Sequence, residues 1–107
     1  MGRASREKGK RGEREWANYL RQRGIDARRG RQYAGHPDAP DVVGIDGWFC
    51  EVKRRERLAV EKWVEQAEAD AGPEDRVYVA HRRNGKPWLV TLRACDFVEL
   101  LREVGCE

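Results

Sequence analysis

Sulfur, histidine and long apolar runs are scarce in this chain, and each scarcity excludes a class of protein. Three cysteines, Cys50, Cys95 and Cys106, are odd in number and show no paired C-x-x-C spacing. That argues against a disulfide framework or a zinc site and for reduced thiols in a cytoplasmic setting. No apolar run approaches the roughly 20 residues of a membrane span, and the polar, basic N-terminus lacks the apolar stretch of a secretory signal. No membrane partner is therefore expected. The two histidines, His36 and His81, have no serine or cysteine near them, so a hydrolase triad has nothing to stand on. Internal repeats, linkers and low-complexity tracts are also missing. With 107 residues, 39% hydrophobic and 38% charged, the chain reads as a single domain, 1–107, with one economical core.

Charge is plentiful and unevenly distributed. Net charge is only +3, yet Met1 to Arg31 carries 11 Lys/Arg against 4 Asp/Glu, which is +7, and the remainder carries 11 against 15, which is −4. Of the 22 basic residues 17 are arginine, whose planar fork suits bidentate contact with phosphate. An electropositive first third fits a polyanionic partner, nucleic acid first. A solvated basic face or a tail would carry the same charge.

The pattern of residues predicts the element order α-β-β-β-α-β-β-α. Residues 1–8 read as a flexible basic arm. Trp16, Ala17 and Leu20 form a helical stripe over about 10–23, stopped by Gly24. Residues 25–29 suit a short edge strand, and 30–40 form a loop rich in Gly and Pro. A hairpin follows, with strands over 41–44 and 48–53. A second helix over about 58–71 buries Val60, Trp63, Val64, Ala67 and Ala71, turns Glu61, Glu65 and Glu68 outward, and ends at Gly72-Pro73. Strands over 77–80 and 88–92 flank Asn84-Gly85, a hairpin signal. Asp96 and Glu99 are spaced as a capping box for a last helix reaching Val104. Trp16 and Trp63 read as core. Trp48 and Trp88 suit either a core or an exposed position.

The first hairpin carries chemistry if its register is right. A three-residue loop over Ile45-Asp46-Gly47, with Gly47 left-handed, sets Val43 opposite Phe49 and Asp41 opposite Glu51. Alternation then puts Lys53 on the face of Glu51. A two-residue loop would shift the pairing by one and send Asp41 to the other face. Asp46-Gly47 before Trp48 tolerates both. Two opposed carboxylates repel unless a cation lies between them, and their hard oxygens suit Mg²⁺, with Mn²⁺ as a substitute. A lysine beside them can orient or deprotonate a water, or steady charge growing at phosphorus. Asp, Glu and Lys on one face are the parts phosphodiester hydrolysis needs, though alternating Glu and Lys also decorates solvent-facing strands. On the first helix, Glu13 falls at the end of the Trp16-Ala17-Leu20 stripe, where a carboxylate needs a partner.

Lys8-Gly9, Glu13-Arg14-Glu15, a helix stopped at Gly24, Arg29, Pro40-Asp41-Val42 and Glu51-Val52-Lys53 together resemble the archaeal and phage Holliday junction resolvases. These belong to the PD-(D/E)xK nuclease superfamily. The resemblance implies a restriction-endonuclease-like α/β core with a mixed central sheet flanked by helices. It implies catalytic roles for Glu13, Asp41, Glu51 and Lys53. A metal would be held by Asp41, Glu51 and the Val52 carbonyl, with no small-molecule cofactor. Arg14 and Arg29 would contact substrate, joining the DNA-binding set Lys8, Lys10, Arg11, Arg28 and Arg31. Gln66 matches a helix glutamine found near the metal in small phage members, or is a surface residue. Asp38, in a second Pro-Asp pair, is an alternative to Asp41. The expected function is Mg²⁺-dependent cutting of branched DNA, a four-way junction first. A homodimer follows, because symmetric nicking needs two centres and this domain offers one. The rivals are a flap-processing or restriction-type nuclease, and a DNA-binding module with a vestigial site.

Overall fold

Two strands of this chain are apolar on both faces, and the fold follows from covering them. The computed structural model describes residues 3–30 and 39–105, with side chains from residue 9 onward. Its elements run in the order α1 (Arg3–Arg21), β1 (Arg28–Arg29), β2 (Val42–Val43), β3 (Trp48–Arg54), α2 (Val60–Asp70), β4 (Arg76–Arg82), β5 (Leu89–Leu92) and α3 (Ala94–Glu103). The five strands form one mixed sheet in sequence order, parallel between β3 and β4 and antiparallel elsewhere. The protein is thus mixed α/β.

The central pair β3 and β4 sorts its side chains by alternation. Cys50, Val52, Tyr78 and Ala80 face one way and meet Trp16, Ala17 and Leu20 of α1. Phe49, Val77 and Val79 face the other way and meet Trp63, Val64 and Ala67 of α2. A helix on each face is what a buried parallel pair requires. Trp16 Nε1 donates to Tyr78 Oη at 3.1 Å inside the first core, which satisfies both polar tips; such a bond stabilises by about 1 kcal/mol net. Trp48 and Trp88 are half-buried and pack against this core, Trp88 with its ring 5.1 Å from Trp16. The third helix, α3, follows β5 and has no buried residue. It borders an apolar groove of about 320 Å³ with Trp48, Tyr78 and Leu92.

Several expected boundaries shift. Helix α1 begins at Arg3, not near residue 10, so residues 3–8 continue the helical backbone where an arm was expected. That stretch contains no proline, and Gly9 and Gly12 weaken a helix without breaking it. The helix stops as expected at Gly24, with φ +89 and Ile25 N–H returning to the Leu20 carbonyl. The edge strand is only Arg28–Arg29. Asp96 does not cap α3: the N-cap is Arg93, without a side-chain cap bond, and Asp96 lies within the first turn. There its charge still suits the helix dipole. The loop expected over 30–40 falls mostly outside the described residues.

Candidate active site

The turn between β2 and β3 decides where the charged side chains go. Trp48 N–H donates to the Ile45 carbonyl at 3.2 Å, and Gly47 has φ +82, a left-handed conformation that suits glycine. The three-residue loop follows, and Val42 pairs with Cys50. Asp41 lies one residue outside that pair, on the side toward Glu51. The alternative register, which would have turned Asp41 away, does not form. Gly44 helps to fix this turn: at φ +133, a Cβ there would meet the Asp26 carbonyl oxygen at 2.5 Å.

Asp41 ends the pairing of β2, and its side chain takes over the job of the backbone. Its N–H donates to the Cys50 carbonyl at 2.8 Å. Its Oδ2 then accepts the Val52 N–H at 2.9 Å, where the next ladder bond would have come. Residues 50 and 52 direct their peptide groups to the same edge of β3. The Val52 carbonyl therefore points toward the edge that Asp41 occupies.

Burial makes this cluster unusual. Among the described residues only four polar or charged side chains are buried: Asp41 at 3% exposure, His81 at 4%, Glu51 at 5% and Glu13 at 8%. Buried charge is costly unless partnered. Lys53 Nζ lies 3.3 Å from Glu51 Oε2, and both side chains are almost covered. The neighbouring Cys50 thiol is buried in the core under α1. Burial pushes its pKa far up, and the charges of Asp41 and Glu51 push the same way, an electrostatic sign of two carboxylates close by.

Glu13, on α1, is also buried. Its Oε1 accepts from Arg29 Nε at 3.0 Å, so two of the residues singled out in the sequence hold one another. Among the described residues no three His, Cys, Asp or Glu side chains converge as a metal-holding group. Arg28 is exposed and lies 3.7 Å from Asp26. Lys10, Arg11 and Arg14 are exposed on α1, and Gln66 is exposed on α2. The Lys8 side chain, Arg31, His36 and Asp38 lie outside what is described.

Two features were not singled out from sequence. His81 pairs with Lys53 across the parallel strands and is buried against Trp63, with ring centroids 5.5 Å apart. Its Nε2 lies 2.8 Å from Thr91 Oγ1, while Nδ1 is buried without a hydrogen-bond partner among the described residues. Burial lowers its pKa. The signal was available in its alternation with Val77 and Val79 on a strand covered on both faces. The second feature is Arg54, whose Nη1 bonds Glu15 Oε1 at 2.6 Å and whose Nη2 bonds Asn84 Oδ1 at 2.5 Å. No sequence pattern announces a contact between residues so far apart.

No helix among the described residues is long and apolar enough to cross a membrane. No curated protein and no solved structure matches the chain. The model of one family, described as archaeal Holliday junction resolvase (hjc), matches residues 4–96. That match takes in α1, the whole sheet and the paired carboxylates, and by it the chain belongs to the archaeal Holliday junction resolvase family.

Proposed function

We propose that the chain is a Mg²⁺-dependent endonuclease of PD-(D/E)xK type that cuts four-way DNA junctions at a centre built from Asp41, Glu51 and Lys53. The observation that best supports this is that Asp41 and Glu51, both buried, flank the Val42–Cys50 pair of β2 and β3, with Lys53 3.3 Å from Glu51. Family membership supports a nuclease acting on branched DNA. The element order, in which α1, three antiparallel strands, α2 and a parallel strand succeed one another, supports the PD-(D/E)xK assignment.

The residues fit a hard divalent cation. Asp41 and Glu51 offer carboxylate oxygens, the Val52 carbonyl points to the same edge, and such donors suit Mg²⁺ with Mn²⁺ as a substitute. When bound, the cation supplies Lewis-acid polarisation of a phosphoryl oxygen. The chain's own groups do the rest. Asp41, tied to Val52 N–H, is held at the end of β2 with little freedom to rotate. Glu51 fixes the Lys53 ammonium, which can orient the attacking water and steady the charge growing on the phosphate oxygens. The Glu13–Arg29 pair holds the start of the chain's basic third against β1. Exposed Lys10, Arg11, Arg14 and Arg28 supply affinity for phosphates. Two copies act together, since one domain contributes one centre and symmetric nicking needs two.

A cleavage assay tests this reading, comparing a four-way junction, a flap, a splayed arm and linear duplex in Mg²⁺ and in EDTA. Mg²⁺-dependent cutting of the junction in preference to the others is expected. Preferential cutting of the flap or the linear duplex would replace junction resolution with a different nuclease function.

A further inference from the structure

The parallel strands β3 and β4 end side by side, and what they deliver there is arginine. Arg54 pairs with Arg82 across the two strands, and Arg55 N–H donates to the Arg82 carbonyl at 3.2 Å. The chain leaves β3 through Arg55 and Arg57 and leaves β4 through Arg83 and Lys86. Those four side chains are exposed. Among the described residues, two carboxylates are bonded at this end. Glu15 lies 2.6 Å from Arg54 and 3.8 Å from Arg82, and Glu56 is engaged with the Asn84 N–H at 2.9 Å. Six cations against two anions leave +4 at one end of a chain whose total is +3. Among the described residues no carboxylate lies in ion-pair range of Arg55, Arg57, Arg83 or Lys86. Such crowding of one sign destabilises the folded state by self-repulsion unless a polyanion is present.

The patch is also braced. Arg54 is fixed at both ends of its guanidinium, by Glu15 and by Asn84 of the β4–β5 turn. Arg82 Nε donates to the Lys86 carbonyl at 2.6 Å, closing the hairpin on itself. A Cβ at Gly12 would meet Arg54 Cγ at 2.6 Å, so the middle of α1 packs directly against Arg54. Side chains displayed on a braced hairpin lose less freedom when they bind. Five of the six cations are arginine, which favours phosphate oxygens held bidentately. Position matters as well: Arg55 lies two residues beyond Lys53 on one strand, about 7 Å at the rise of an extended chain.

We propose that the β3 exit and the β4–β5 hairpin form a second DNA contact, which grips the phosphate backbone of the duplex arm next to the cut strand. It is separate from the contacts of the basic first third. The proposal rests on the reading of the chain as a DNA nuclease, but its test needs no cleavage. Binding of the full chain to a short linear duplex and to a four-way junction is measured in EDTA over a series of salt concentrations. The proteins are wild type, the double variant Arg83→Gln/Lys86→Gln, the double variant Arg55→Gln/Arg57→Gln, and Arg102→Gln on α3 as a control for net charge. For every phosphate that is no longer neutralised, the log–log salt dependence should become shallower by about 0.9. Each double variant should thus flatten the slope by about 1 to 2 on both DNAs, while Arg102→Gln leaves it unchanged. A slope equal to wild type in both double variants overturns the proposal. So does an equal flattening by Arg102→Gln, which would reduce the effect to net charge. A protein that binds as expected but never cuts DNA would sink the nuclease reading and leave this contact standing.

Discussion

Replacing Asp41 by alanine and, separately, by asparagine divides two jobs that one side chain performs. Its buried carboxylate lies at the end of β2 on the side of Glu51, and its Oδ2 accepts the buried Val52 N–H at 2.9 Å. Alanine removes both features. The orphaned N–H then costs about 1–3 kcal/mol, partly offset by relief of the repulsion with Glu51. Asparagine removes the charge but keeps a carbonyl oxygen for Val52. In metal-free buffer the Asn variant should therefore melt at or above the wild-type temperature. The Ala variant should melt lower than the Asn variant by at least about 4 °C, since 1 kcal/mol moves Tm by about 4–8 °C in a domain of this size. Thermal unfolding followed by circular dichroism in EDTA reads the difference. Neither variant should cut DNA, and both should still bind it through the basic surface. Equal melting of the two variants would refute the structural role given to Asp41. Near wild-type cutting by either would remove Asp41 from the centre and make Asp38 the next residue to test.

Three other expectations follow from named contacts. Lys53→Arg exchanges a compact ammonium for a wide fork beside Glu51; single-turnover kinetics should show a severe loss of cleavage with little change in affinity, and retained cleavage would confine Lys53 to an electrostatic role. Burial holds the pKa of His81 below its ordinary 6.5, so the neutral ring contributes stability above pH of about 6.5 that is lost as pH falls. Melting curves from pH 8 to 5 should show that loss, and His81→Asn should lessen it; stability that rises over this range would contradict the assignment. Gly44→Ala forces a Cβ to within 2.5 Å of the Asp26 carbonyl oxygen at φ +133. It should cost about 1–3 kcal/mol and lower cleavage by disturbing the register of Asp41, whereas unchanged denaturant midpoints would show that the loop absorbs it.

What sequence conveyed depended on how local the determining interaction was. The register of β2 against β3, with Val42 beside Cys50, was legible because one short turn sets it, and Asp46-Gly47 names that turn although two loop lengths were compatible with it. The helices covering the sheet were legible from the stripes of Trp16 and Trp63. The start of α1 was not, because residues 3–8 are polar and basic and carry no apolar stripe that would mark a helix. The Glu13–Arg29 pair joins a helix to an edge strand, and only the tertiary fold brings those residues together. The arginines at the ends of β3 and β4 were hidden in a segment whose summed charge is −4. The acidic residues that produce that sum include Glu61, Glu65 and Glu68, exposed on α2, while strand pairing gathers the arginines at one end. Charge summed along a chain does not report charge gathered in space.

If Asp41 and Glu51 make the cutting centre, cleavage but not binding depends on the charge of Glu51. Wild-type and Glu51→Gln proteins are held at saturating concentration on a four-way junction with Mg²⁺, and the rate of strand cleavage is followed. Saturation removes affinity from the comparison, and glutamine keeps the size of the side chain while removing its charge. Both proteins should bind the junction, and only the wild type should cut it. Cleavage by Glu51→Gln at the wild-type rate would contradict that assignment.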